Sequence, residues 1–591
     1  MKKITSLLLA LTFILGSAFT LVSCGAPKDG GAEIKVYLGE KVYDFDPTDY
    51  YADSTAELVM GLLYDPLFRV NEKGKVKCDG AADSYDVDEK NNTIVIDLKE
   101  TYWSDGVRVK ADDYIYAWRN VLLNPNDANP AAALLYDIEN AVKVKNGEIS
   151  AFEFGAVASG TYQITIEYRK GANYEQLIKN LATVATCPIR QDIATSLTAG
   201  YWSKLVNTAV TNGPFMISKI SADKSFTLAR NEGYHQELGL KNPNKIVNPG
   251  KLIGLGSATY EDIENNVVFY MTDAPLADRA DHKKEATVKD DLSTYTYVFN
   301  TDRELFKNAN VRKALSLAID REAIIDAITF GKAATGFLPD CVLDPDTGKS
   351  FNKKVDDLIS TSANIDAAKE LLKTVDLTNV DKSFELTVGD DAESLAIANI
   401  VKAAWTNLGF EVTINPVGVV KDAEGKEGIE VGEGAMSNRI YDSELQVLIN
   451  NAARSDFYGE DRGFDVIGID WQMYSTDPFV ALAAFADRYD GSGVSLPGND
   501  KNVVYTNIAG YNSDEYNALI KKAYNEVVLE ERSEILHEAE KMLVDSACIV
   551  PLVFNQTFTF EHKHISKVDF DGFGNIILTD MKQKKYRKYL D

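Results

Sequence analysis

Cysteine is scarce in this 591-residue chain: Cys24, Cys78, Cys187, Cys341 and Cys548 lie far apart and form no Cys-x-x-Cys pair. That spacing argues against a zinc site and against a dense disulfide framework, leaving room for one or two bridges at most. Histidine is as rare, with five residues. The one close pair, His562-x-His564, has no acidic or thiol partner at ligand spacing, so a metal set is not indicated. Gly-x-Ser-x-Gly, His-Glu-x-x-His and P-loop patterns do not occur, which removes the commonest hydrolase, metalloprotease and nucleotide-binding signatures. Positive charge is in deficit: 62 Lys and Arg against 89 Asp and Glu give a net charge of −27. An acidic balance this large disfavours nucleic acid and anionic lipid as partners. Past the first residues, no apolar run approaches the ~20 residues of a spanning helix.

The N-terminus reads as a processing signal. Lys2 and Lys3 precede the mostly apolar Leu7 to Leu15, and Leu21-Val22-Ser23-Cys24-Gly25 looks like a lipobox. Cleavage would remove residues 1–23 and leave Cys24 to carry diacylglycerol, a membrane anchor. Residues 24–32, small and Gly-rich, are expected to form a flexible tether. The expected location is the outer face of the cell membrane, lipid-anchored. A chain this long exceeds one compact core, so two to four domains or lobes are expected.

Hydrophobic periodicity gives an α/β alternation. Strands are expected at 34–38, 93–98, 161–168, 294–300, 384–388, 410–414, 464–468 and 548–554, where β-branched and aromatic residues alternate or cluster. Helical spacing appears at 55–63, 111–123, 174–181, 392–408, from Ser513 to about 525, and 529–544. In the stretch 293–325 a strand runs into a helix whose apolar face is Val311, Ala314, Leu315, Ala318, Ile319 and Ile325, with Asn308 and Asn310 as possible caps. Phe384 to Ile414 forms a β–α–β unit expected to be parallel, with Gly409 closing its helix. Residues 240–260 read as loop. Residues 421–434 carry five acidic and four glycine residues and little to bury, so a mobile surface insertion is expected.

Several motifs, in order along the chain, resemble the oligopeptide- and dipeptide-binding receptors of ABC importers, a large family of extracytoplasmic solute-binding proteins. They are Tyr64-Asp65-Pro66-Leu67-Phe68, Trp103-Ser104-Asp105-Gly106, Tyr116-Ala117-Trp118, Thr211-Asn212-Gly213-Pro214-Phe215, Phe299-Asn300, Val311-Arg312-Lys313-Ala314-Leu315, Ala318-Ile319-Asp320-Arg321 and Asp477-Pro478. The resemblance implies an α/β, two-lobed periplasmic-binding-protein-like fold with a hinge and an extra domain inserted in lobe I. Lobe I would take 31–57, 183–292 and 558–591, the extra domain II 58–182, and lobe III 293–557. It implies a non-enzymatic peptide receptor with no cofactor and no resident metal. Such a receptor is expected to be a monomer that hands its ligand to a permease and ATPase in the membrane. A receptor of the same fold for a metal chelate or glycan is the first alternative, and a surface peptide or glycan hydrolase the second.

In this family the ligand's amine end is usually held by an aspartate in a Trp-x-x-Asp run ahead of an acidic residue and proline. Here Trp471, Asp477 and Pro478 match, but Tyr474 stands where that aspartate belongs. A neutral phenol cannot make the charge-assisted bond that a buried ammonium requires. Three readings stay open: Asp470 or Asp53 substitutes, the ligand has no free amine there, or the alignment is shifted by a few residues. Tyr50 follows the first strand, where the resemblance places cleft residues. Asp477 has a second role open to it as an Asp-Pro turn and helix cap, and Trp471 a second one as a core aromatic. A cysteine pair that some relatives carry near this site is replaced by Ser293 and Gln472.

Overall fold

A computed structural model describes residues 31–589 except 40–41, 43, 50–53, 124–129, 197–200, 205–208, 221–224, 239–248, 432–437, 453–461 and 487–506. Strand β1 (Glu33–Tyr37) alternates buried Ile34 and Val36 with half-buried polar residues and leads to α1 (Ser54–Leu63). Then come β2 (Ala82–Asp88), β3 (Thr93–Leu98), α2 (Ala111–Leu123), β4 (Ala156–Gly160) and β5 (Gln163–Glu167). These four strands form a separate antiparallel sheet in the order β2-β3-β5-β4. It is an extra domain with α2 against it, and α2 is pinned by Trp118, whose indole N–H donates to the Thr186 carbonyl at 2.9 Å.

The chain next contributes the hairpin β6 (Phe215–Ile220) and β7 (Phe226–Arg230), then β8 (Lys251–Gly254), β9 (Tyr270–Met271) and helix α3 (Leu276–Asp281). The thirteen-residue β10 (Thr287–Phe299) follows, then α4 (Ala309–Leu317) and α5 (Arg321–Ile328). After them come β11 (Ser383–Gly389), α6 (Ala392–Asn407), β12 (Glu411–Val417) and β13 (Val466–Gln472). Helices α7 (Pro478–Ala483), α8 (Asp514–Asn525) and α9 (Leu529–Ser546) precede the closing β14 (Ile549–Glu561).

One large sheet joins both lobes, in the order β12-β11-β13-β10-β14-β9-β1-β8-β7-β6. Its bridge is the antiparallel pair of long strands β10 and β14. The register of that pair breaks at one place that matters: Asp290 faces Gln556 and Thr294 faces Phe554, so residues 291–293 stand opposite Asn555 alone. A bulge of this kind sharpens twist and loosens the ladder where the sheet passes from one lobe to the other. On the β10–β13 side the core is aromatic. Trp405 of α6 is fully buried, donates to the Leu315 carbonyl at 2.9 Å and packs on Phe299 and Phe384.

The caps are where the side-chain chemistry puts them. Asn308 accepts from the Asn310 amide at the start of α4, and Ser513 from Tyr516 at the start of α8. Gly409, at φ +93°, ends α6 in the left-handed region. The parallel register of β11 with β12 confirms the β–α–β unit.

Three expectations are corrected. Residues 251–254 are strand β8, paired with both β1 and β7; its four residues sit among Asn, Pro and Gly, so no run of apolar residues announced it. Strand β13 reaches Gln472 rather than stopping at Gly468: its polar Asp470 lines a cleft and Gln472 is buried opposite Ser293 of β10, so the apolar run ends before the strand does. Residues 421–431 are hydrogen-bonded structure rather than loose chain. Ile429–Val431 pairs with Asn438–Ile440, and Arg439 bridges to Asp422 at 2.7 Å. Local turn bonds and an ion pair supply there what burial does not. The sequence leaves one or two bridges open; among the described residues Cys78, Cys187, Cys341 and Cys548 are free thiols.

Candidate functional site

A cavity of about 720 Å³ lies between the lobes. It sits at the carboxyl ends of parallel strands on both sides: Tyr37 to Gly39 beyond β1 and Asp273 beyond β9 on one, Gly389 to Asp391 and Val417 beyond β11 and β12 on the other. Crevices at strand carboxyl ends are where open α/β sheets bind ligands, because loops and helix starts converge there. Its floor is the bridge itself, with Asp291 and Tyr295 of β10, Gly468 and Asp470 of β13, and Asn555 and Gln556 of β14.

Asn555, the residue opposite the bulge, organises this floor. Its amide nitrogen donates to Asp470 Oδ1 at 2.7 Å and to Ser293 Oγ at 2.9 Å. Ser293 and Gln472 are direct cross-strand partners on β10 and β13. Gly468 leaves room for the ring of Tyr295: a Cβ there would lie 2.6 Å from the tyrosine hydroxyl.

Two ion pairs cross from one lobe to the other. Arg279 of α3 bonds Glu393 in the first turn of α6, and also Asp273 at 2.6 Å. Lys204 bonds Asp442 and lies 3.6 Å from Asp44. These residues are 114 and 238 positions apart, and no local sequence signal connects them.

Three carboxyls of the cavity, Glu57 of α1 and the floor residues Asp291 and Asp470, are held against ionisation. Burial, reinforced by Asp291 and Asp571, pushes Glu57 up to about 8 despite a hydrogen bond from Asn575. Burial raises Asp470 to about 7, with Glu393, Asp391 and Asp291 adding like charge against the Asn555 bond. Burial alone raises Asp291 to about 6. In the pH window between an unfolded carboxyl's ~4 and these values, the folded chain binds more protons than the unfolded one. Stability from these groups is therefore full below about pH 4 and lost as pH rises through 6 to 8. The melting temperature of the ligand-free protein is expected to fall from pH 5 to pH 8, and less steeply in Glu57→Gln, Asp470→Asn. Parallel slopes for the two proteins would contradict this.

The residues singled out from sequence divide sharply. Asp470 lines the cavity. Trp471 does not: neighbouring strand residues point to opposite faces, and it is 3 % exposed, stacked on Phe485 at 4.8 Å and edge-on to Phe337 at 5.9 Å. Tyr474, also 3 % exposed, turns at φ +59° just past β13 and lies in the same apolar cluster, off the cavity wall. Asp477 caps α7 through the Phe479 amide and holds Arg532 by two bonds of 2.9 and 3.1 Å. Tyr50, Asp53 and Cys24 lie outside the described residues. Sequence reading missed Glu57, Asp291, Arg279, Glu393 and Asn555. The Asp390-Asp391 pair just ahead of α6 was the one visible hint.

Two lobes around a shared sheet, a cavity at the strand ends and an added antiparallel domain define a solute receptor of the periplasmic-binding type. The chain belongs to the bacterial extracellular solute-binding proteins, family 5, whose middle-region model matches residues 79–492. It is similar to the dipeptide-binding protein DppE of Bacillus subtilis (strain 168), 24 % identical over 96 % of this chain and 97 % of that protein. Listeria monocytogenes OppA bound to peptide superposes with a TM-score of 0.74 at 18 % identity, covering 94 % of this chain and 100 % of that one. The Escherichia coli murein tripeptide binding protein MppA matches at 0.71 and 20 % identity over 94 % of this chain and 98 % of that one. The unliganded open form of MppA matches at only 0.53 and 19 % identity, over 94 % and 97 %.

Proposed function

We propose that this chain is an extracytoplasmic receptor of an ABC importer that captures oligopeptides between its lobes by hinge closure and delivers them to a membrane permease and its ATPase. The observation that carries the reading is the interlobe cavity, bridged by Arg279–Glu393 and Lys204–Asp442, in a chain of this family. The names of the relatives, dipeptide- and oligopeptide-binding proteins, support peptide as the ligand. The bulge at 291–293 supports a hinge there, at the boundary placing lobe I at 31–57, 183–292 and 558–591 and lobe III at 293–557. Bending at such a point lets two rigid lobes close without repacking either core.

Among the described residues no helix is long and apolar enough to cross a membrane, and the anchor we assign is lipid on Cys24. Within the cleft, Asp470 takes the ligand's terminal ammonium in place of the family's aspartate, since Asn555 occupies only its Oδ1.

Mass spectrometry of small molecules released by mild denaturation of the purified protein tests the reading. A population of short peptides is expected. Recovery of a glycan or a metal chelate instead would overturn it.

A further inference from the structure

Among the described residues, ten carboxyl side chains line the cavity against two cations, Lys204 and Arg279. Both cations are already committed to cross-lobe ion pairs. Five carboxyls, Glu57, Asp291, Asp390, Asp391 and Asp470, face no Lys, Arg or His at ion-pair distance among the described residues. Asp391 is spent partly on capping α6 through the Ser394 amide at 2.7 Å. Among the described residues, only one oxygen of Asp470 takes a hydrogen bond, from Asn555. The Tyr295 hydroxyl, on a side chain 6 % exposed at the same wall, makes no well-formed hydrogen bond either.

A cavity built this way is unbalanced in one direction. Carboxylates gathered around one cavity repel, and among the described residues no cation pairs with these five. An anionic guest adds to that repulsion, and a neutral guest removes solvent from the carboxylates without replacing its hydrogen bonds. A guest with several ammonium or guanidinium groups supplies both the missing charge and the missing donors. A single terminal ammonium answers one carboxylate and leaves the others.

We propose that this cleft selects cationic peptides, carrying lysine or arginine side chains in addition to the terminal ammonium, and that Glu57, Asp291 and Asp470 determine that selectivity. The proposal rests on the peptide-receptor reading and narrows its substrate class. Burial lifts these three carboxyls to about 8, 6 and 7, so near neutral pH part of their charge is held off by protons. A cation that enters displaces those protons, and binding releases them to the buffer.

Isothermal titration of the full chain with three blocked-length pentapeptides, Ala-Lys-Ala-Lys-Ala, Ala-Gln-Ala-Gln-Ala and Ala-Glu-Ala-Glu-Ala, decides the matter. The lysine peptide is expected to bind at least about tenfold tighter than the glutamine peptide, and the glutamate peptide weakest. Its apparent enthalpy should change with the ionisation enthalpy of the buffer, which a merely structural role for the carboxyls would not produce. In Glu57→Gln the lysine advantage is expected to shrink about tenfold, while affinity for the glutamine peptide stays within about threefold and ligand-free melting confirms folding. Equal affinity for lysine and glutamine peptides would overturn the cationic selectivity and leave the peptide receptor standing. Binding of spermidine or Ca²⁺ with none of the three peptides would overturn both.

Discussion

Trp471→Ala is expected to destabilise the protein by about 3–5 kcal/mol while leaving peptide affinity within a factor of about two. The indole is buried against Phe485 and Phe337 on the face of β13 turned away from the cavity, so its loss opens a hole in the core. Its N–H has no hydrogen-bond partner among the described residues, which places the effect at the lower end of that range. Denaturant unfolding of the variant gives the first number and titration of the surviving folded protein the second. A variant that melts like the wild type but no longer binds would show that Trp471 touches the ligand after all.

Arg279→Ala is expected to open the ligand-free protein. The guanidinium sits over the Phe558 ring and joins Asp273 of its own lobe to Glu393 of the other. Without it, two carboxylates face each other across the cleft mouth. Truncating one member of a buried charge pair costs about 2–5 kcal/mol, much of it from the charge left behind. Even 2 kcal/mol shifts a closed-to-open ratio about thirtyfold. Small-angle scattering should show a larger radius of gyration for the ligand-free variant. Affinity for an uncharged peptide should fall about tenfold, since closure now draws on binding energy. Arg279→Lys is expected to recover part of the compact form. Scattering curves identical to wild type would mean that this pair does not hold the lobes together.

The fold was legible because its signals are local and repeated. Ser513, Asn308 and Gly409 mark helix ends by capping chemistry, and Ala111 to Leu123 buries Tyr114 and Trp118 at helical spacing as expected. The site was less so. Reading Trp471 and Asp470 as one cluster overlooked that adjacent strand positions face opposite sides, an error that follows from ending the strand at Gly468. Arg279 and Glu393 meet only through the tertiary fold. Asn555 gained its role from a register break, and nothing in Phe554-Asn555-Gln556 distinguishes a bulge partner from an ordinary strand residue. The acidic surplus was visible in the composition, but its concentration around one cavity was not.

The position of β14 bears on how the molecule is made. This strand, residues 549–561, pairs with β10 and β9, and β9 in turn pairs with β1 at the other end of the chain. The central sheet therefore cannot close until residues 549–561 have been synthesised. During that interval β10 and β9 wait with open edges, which are templates for wrong pairing. Contacts of such long sequence separation also fold slowly. Until residues 549–561 have been made the chain stays in a sticky, unfinished form, and folding factors would find their longest-lived client surface at β9 and β10.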